Sequence, residues 1–252
     1  MLCDVLLKKH EISVYGIGGM LSAYTDNRIS SVSAPLSPIG KIGGGIGIGY
    51  TFFYDDRVGF TDGRLNNIVW QWGVTTGLEL AFYGSTSYAA SYLSVADGIY
   101  RYLDDEEEEE RRFKDYTGYS ELQNVVYAHI PLMATVCIPV MKKHHLYFSA
   151  GGKVGFALPG SFTIEPTSVR KYGYYSWTDQ TFENMPNHDY GTYYGEEAME
   201  EGNLNFPINV MASIEGGMRW SRPTTSAIYT GAFIDYGISG IWGAGLKVKW
   251  AF

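Results

Sequence analysis

Apolar and polar residues alternate along most of this chain, most clearly at its end. In WGAGLKVKWAF, Trp242, Ala244, Leu246, Val248, Trp250 and Phe252 share one parity, and Gly243, Gly245, Lys247, Lys249 and Ala251 share the other. Period two marks a strand with two unlike faces. AIYTGAFIDYG sets Ile228, Thr230, Ala232, Ile234 and Tyr236 against Tyr229, Gly231, Phe233 and Asp235. NVMASIEGGMRW sets Val210, Ala212, Ile214, Met218 and Trp220 against Asn209, Ser213, Glu215, Gly217 and Arg219. HLYFSAGGKVGFAL, NVVYAHIPLMATVCI and VTTGLELAFY repeat the pattern and put Lys153, His129 and Glu79 on the less apolar face. EISVYGIGGML, with Ile12, Val14 and Met20 on the apolar side, and KIGGGIGIGYTFFY complete a set of eight strands. Each run is about 9–13 residues long, the length of a tilted membrane-spanning strand.

The connections differ in length. MKKHH (141–145) and SRPTTS (221–226) read as short turns, whereas residues 25–40, 84–116 and 160–204 are long, polar and tyrosine-rich. Short turns on one rim and long loops on the other are the asymmetry of outer-membrane barrels. The predicted fold is therefore all-β. It is a single-domain, antiparallel, eight-stranded transmembrane β-barrel over residues 10–252, with long surface loops and short periplasmic turns. Residues 1–9 form an N-terminal periplasmic segment.

The glycine-rich stretch KIGGGIGIGY does not fit a phosphate loop. Gly43, Gly45, Gly47 and Gly49 recur every second residue, with Gly44 between, and no helix start follows, which a phosphate cradle needs. Period two puts those four glycines inward and Ile42, Ile46, Ile48, Tyr50, Phe52 and Tyr54 outward. Small inward residues leave room for long ones from other strands, such as Lys153, Arg219 or Lys247.

Seven charged residues, Glu79, Lys153, Glu215, Arg219, Asp235, Lys247 and Lys249, lie on different strands yet share the inward parity. A Lys or Arg facing lipid at mid-depth costs about 2–4 kcal/mol, so these side chains are expected inside. An eight-stranded barrel is just wide enough for side chains to fill. Four cations against three anions then predict a plug of salt bridges, with a narrow ion path as the alternative. The outward Tyr50, Tyr54, Trp220, Trp242, Trp250 and Phe252 suit interfacial girdles; core aromatics of a soluble sandwich are the competing reading.

Composition narrows the picture further. Charged residues are only 18% of the 252, aromatics reach 15% and glycines number 31, which favours strands over helices. A net charge of -8 argues against nucleic acid as a partner, since that needs a basic face. The longest apolar run, Ile130 to Met141, holds Pro131 and Pro139 and falls short of the ~20 residues of a membrane helix. Cys3 and Cys137 make neither a disulfide framework nor a zinc site, and Cys137 reads as a buried, inert thiol. The start, MLCDVLLKKHE, lacks the apolar core of a signal peptide.

Candidate chemistry is sparse. His129 reads as a satisfied core histidine. His144 and His145, in a turn beside Lys142 and Lys143, are expected to meet headgroups or water rather than a metal. His188 and Asp189 have no serine partner at a recognisable spacing. DDEEEEERR (104–112) reads as a solvated loop tip, with cation binding as a weaker alternative. No catalytic residue, metal or cofactor is expected.

HEISVYGIGG, GYTFFY, GLELAFY, HIPLMA, GGKVGFALPG, MASIEGGMRW, YTGAFIDYG and GLKVKWAF, in this order and spacing, resemble the OmpA-like eight-stranded barrel proteins of Bacteroidetes. The resemblance runs from about residue 10 to 252. The last segment also looks like a barrel-assembly signal, formed by Gly245, Trp250 and the terminal Phe252. It implies a place in the outer membrane of a Gram-negative bacterium, termini in the periplasm and long loops outside. Outer-membrane lipid and the barrel-assembly machinery are the implied partners. Many members continue into a periplasmic peptidoglycan-binding domain; with the chain ending at Phe252, that tether is not expected. The first periplasmic turn (about 55–73) is long for this class and the last surface loop, GISGI, is short, and either offers a docking surface. Three roles follow. One is a structural or scaffolding barrel whose loop tyrosines (Tyr172, Tyr174, Tyr175, Tyr190, Tyr193, Tyr194) suit protein or glycan contacts. The others are a subunit of a larger outer-membrane complex for assembly, secretion or nutrient uptake, and a small-conductance pore.

Overall fold

In the computed structural model, residues 9–25, 38–54, 58–59, 69–102, 108–141, 143–175, 180–182, 192–193, 200–221 and 226–252 are described, with the backbone alone over 58–59, 69, 89–102, 108–114, 171, 174–175, 180, 182, 192–193 and 200. Cys3, Lys142, His188, Asp189, Tyr190, Tyr194, nearly all of the N-terminal segment and part of the acidic run lie outside these residues.

The described chain is all-β. Its thirteen strands are β1 (His10–Ser22), β2 (Ile39–Phe53), β3 (Val58–Gly59), β4 (Val69–Tyr102), β5 (Glu108–Met141), β6 (His144–Ala157), β7 (Gly160–Tyr175), β8 (Gln180–Phe182), β9 (Thr192–Tyr193), β10 (Glu200–Leu204), β11 (Asn209–Ser221), β12 (Ala227–Gly237) and β13 (Trp242–Ala251). Every pairing is antiparallel. The eight alternating segments of the sequence are β1, β2, β4, β5, β6, β11, β12 and β13, and each pairs with two others of the set. The pairings run in that order and come back from β13 to β1. The register can be followed once round. Met20 faces Ala244, then Ile234, Ile214, Ala150, Ala134, Val74 and Phe52, and Phe52 faces His10. The path returns to β1 ten positions from where it left, so the strands are tilted and staggered.

Along these strands burial alternates, but with the polarity of a soluble protein reversed. In β1, Glu11, Ser13 and Tyr15 are buried while Ile12 and Val14 are exposed. Ile46, Ile214, Ile234 and Leu246 are 63–70% exposed, whereas Glu79 and His129 are fully buried. In water, leaving that much aliphatic surface exposed forfeits the main driving force of folding.

Several connections differ from expectation. Residues 84–116 are mostly not a loop. β4 and β5 stay paired out to Tyr102 and Glu108, with register shifts after Ala89 and Ala96. β7 adds to the same arm by pairing with β5 from Glu110 to Asn124, and β8, β9 and β10 pair with β7, so much of 160–204 is strand as well. The sequence of this segment carries no apolar alternation, which is why it reads as loop. The first turn is shorter than expected because β4 already begins at Val69, where β3 pairs with it. His144 and His145 are not in a turn: they open β6, and His145 points into the interior. The GISGI turn is tight, with the Gly237 amide donating to the Ile241 carbonyl at 2.7 Å. Gly240 there has φ of 73°, a conformation that favours glycine.

Candidate functional site

Alternation along eight strands sends one set of side chains into the enclosed face of the ring, and the charged residues of the sequence meet there. Glu79 is inward because it lies between outward Leu78 and Leu80 on β4, and Lys153 because it lies between Gly152 and outward Val154 on β6. The Lys153 ammonium donates to Glu79 Oε1 at 3.1 Å and Oε2 at 3.4 Å, and to Asp235 Oδ2 at 2.8 Å. One cation on β6 thus ties β4 to β12 across the interior. Its ammonium also lies over the Phe233 ring, 5.7 Å from the centroid.

A second group joins β11, β13 and β6. Lys247 Nζ lies 2.8 Å from Glu215 Oε2, and the Tyr147 hydroxyl donates to Glu215 Oε1 at 2.9 Å. The Lys247 ammonium also sits 4.1 Å from the centroid of the Tyr15 ring, a cation–π distance. The third group lies around Arg219. Its guanidinium contacts Glu11 and Ser221, and its Nε donates to the Tyr229 hydroxyl at 2.8 Å. Tyr229 in turn donates to Glu11 Oε2 at 2.5 Å. Lys249, 6% exposed, lies 3.8 Å from the Tyr229 centroid and 5.8 Å from that of Tyr147.

All seven charged residues read from the sequence face this interior, and one more does as well. Glu11 is the carboxylate that reasoning from the sequence missed, though its parity with Ser13 and Tyr15 in HEISVYG marks it as inward. With it, Glu11, Glu79, Glu215 and Asp235 stand among the cations Lys153, Arg219, Lys247 and Lys249, and two further buried carboxylates, Asp115 and Glu121, lie farther along β5. Opposite them runs a row of hydroxyls on four consecutive strands. Thr51 bonds Thr75 at 2.8 Å, Thr75 bonds Thr135 at 3.0 Å and Thr135 bonds Ser149 at 2.9 Å.

The inward glycines serve differently from expectation. A methyl group on Gly47 would fall 2.3–2.7 Å from the Tyr15 ring, and one on Gly49 would fall 2.8 Å from Ser13 Oγ. Tyr15 and Gly47 are direct cross-strand partners. The space over Gly47 therefore belongs to a neighbouring tyrosine, and Lys247 then stacks on that tyrosine. At Gly45 and Gly43 the nearest obstacles are the backbone carbonyls of Leu80 and Phe82, so those two glycines allow β2 and β4 to approach closely.

His129 is buried as expected but is not hydrogen-bonded. Its ring stacks on Tyr127 with centroids 5.4 Å apart and meets Tyr83 edge-on at 5.6 Å. Neither nitrogen finds a partner among the described residues. Cys137 is 1% exposed, packed in a cluster with Phe53, Tyr147 and Tyr229.

Outside the ring, aromatic residues gather at the end that carries the described termini. Tyr54 stacks on Trp72 with centroids 4.0 Å apart, Phe52 lies between His10 and Tyr54, and Trp250 meets Phe252 at 5.6 Å. Tyr50 accepts or donates a 2.6 Å bond with His10. Trp220 lies opposite Ile228, and Ile228 opposite Trp250, so it belongs to the same end. Trp242 alone of the six sits at the far end, where Tyr236 is its partner on β12. Gly245, of the terminal motif, lies against the backbone of Gly18 and Gly19.

No family model matches the sequence, and no curated protein matches it. Among solved structures the chain is similar to Ail, the attachment invasion locus protein of Yersinia pestis, at 9% identity over 98% of this chain and 100% of that one, with a TM-score of 0.32. It is also similar to the transport unit of the autotransporter AIDA-I from Escherichia coli, at 9% identity over 100% of this chain and 93% of that one, with a TM-score of 0.24.

Proposed function

We propose that the chain is an eight-stranded transmembrane β-barrel of a Gram-negative outer membrane. Its role is structural or scaffolding, it carries no catalytic activity or cofactor, and its interior is closed by ion pairs. One observation carries this reading: the reversed burial round the ring. Aliphatic side chains point out from all eight strands, and every charged group at mid-strand points in. Hydrocarbon is the surroundings in which that arrangement is stable, because a barrel leaves no backbone group unpaired. Aromatic residues at both ends fit the interfaces. Three of the four interior cations are ion-paired across strands, which favours a plug over a conducting path. Refolding into detergent and running the product on a gel with and without boiling tests the reading. A compact, heat-modifiable species that sediments with outer-membrane lipid vesicles is expected; a monomer stable in water without detergent would refute it.

A second role, as a subunit of a larger outer-membrane assembly, is favoured by the arm. β4, β5 and β7 continue well past the ring pairings as a paired sheet, a built surface on which a partner protein can seat. Purification in mild detergent with identification of co-eluting chains distinguishes this from a barrel that acts alone.

A further inference from the structure

The pairs described above leave one cation over. Lys153 is shared by two carboxylates, Glu79 and Asp235; Lys247 takes Glu215; Arg219 takes Glu11. Lys249 forms no ion pair among the described residues, although it is 6% exposed. The half of the interior nearer the termini thus holds Arg219, Lys247 and Lys249 against Glu11 and Glu215. The ring faces of Tyr229 and Tyr147 lie beside the Lys249 ammonium, but a ring face supplies no full negative charge. Buried cations are ordinarily paired.

Lys249 borders a small cavity of about 20 Å³, also lined by Lys153, Lys247, Glu215, Ser13, Thr75 and Ser149. A space of this size holds one water-sized guest. Three lysines line it against one carboxylate residue, Glu215, whose two oxygens are already occupied by Lys247 and Tyr147, and the Lys153 and Lys247 ammoniums are themselves ion-paired.

We propose that this cavity is a binding site for a small monovalent inorganic anion of about the size of chloride. The Lys249 ammonium is its principal partner, and the hydroxyl of Ser149, at the end of the hydroxyl row, is a secondary donor. The guest supplies the direct negative partner that Lys249 lacks among the described residues, and it fixes Lys249 between β13 and the hydroxyl-bearing strands. The site is internal, so the anion is part of the plug rather than a passing ion.

The test uses the whole chain refolded in detergent. Unfolding temperature is measured as sodium chloride or sodium bromide replaces sodium gluconate at constant ionic strength, between about 10 mM and about 300 mM, since a ligand bound only by the folded form stabilises it by mass action. A rise of a few degrees in the halide series, absent in Lys249→Met, is expected. Crystals grown in bromide should show an anomalous peak beside the Lys249 ammonium. If Lys249→Met does not fold, the bromide peak in the unchanged protein decides alone. Equal unfolding temperatures in halide and gluconate, or only water in the cavity of bromide crystals, would overturn the proposal while leaving the barrel reading intact.

Discussion

Lys153 satisfies two carboxylates on two other strands, and so its loss strands both. Replacing it by Met should cost about 3–5 kcal/mol of stability in urea unfolding from micelles. Lys247→Met, which frees one carboxylate that still accepts from Tyr147, should cost clearly less. Equal losses would show that the three groups act as one network. At Gly47, a leucine collides with the Tyr15 ring, so Gly47→Leu should prevent folding, and adding Tyr15→Ala should restore it. No rescue would mean that the glycine is needed for backbone approach instead. Parity alone reveals which charges turn inward, Glu11 included. It cannot reveal that Tyr15 covers Gly47 or that Lys153 reaches Asp235, because those contacts depend on the register between strands far apart in the chain.

At the scale of elements, ring strands and arm strands leave different marks. β11, β12 and β13 are legible because each has one exposed apolar face and one buried, more polar face, which gives period two. The outer halves of β4 and β5 carry no such alternation in sequence. Their tyrosines, serines and acidic run give no period, so pairing there becomes visible only in the ladder itself. The ring contacts of β4 with β2 end at Thr86, and the arm beyond makes its pairings with β5 and β7. Joining Tyr88 to Ser120 through a short Asn-Gly turn should therefore leave a heat-modifiable barrel in the gel assay. Loss of folding would show that the arm is part of the ring's stability rather than an addition to it.

For the molecule as a whole, the decisive contrast is between two exposed isoleucines. Ile214 is in the middle of β11 and Ile238 is in the turn after β12, at 64% and 83% exposure. In water both tolerate lysine, since exposed substitutions rarely matter by more than about 0.5 kcal/mol. Within a bilayer, Ile214→Lys should lose about 2–4 kcal/mol in vesicle unfolding titrations and Ile238→Lys close to nothing. Conductance across a planar bilayer should be negligible, because three ion-paired groups and a hydroxyl row occupy the passage. Steady single-channel steps in the unmodified protein would revive the pore.

The ten-position stagger of the ring has a further consequence. Strands so staggered lean by roughly 40°, and each residue advances about 3.3 Å along its strand. The ten residues of β13 then rise only about 25 Å along the ring axis, which is less than the hydrocarbon depth of an average membrane. In the proposed membrane setting, the β13 side of the ring suits a thin bilayer. The molecule should insert faster and more completely into vesicles of short-chain lipids, about 12 carbons per tail, than into those of about 18, where its ends would drag the surrounding lipid inward.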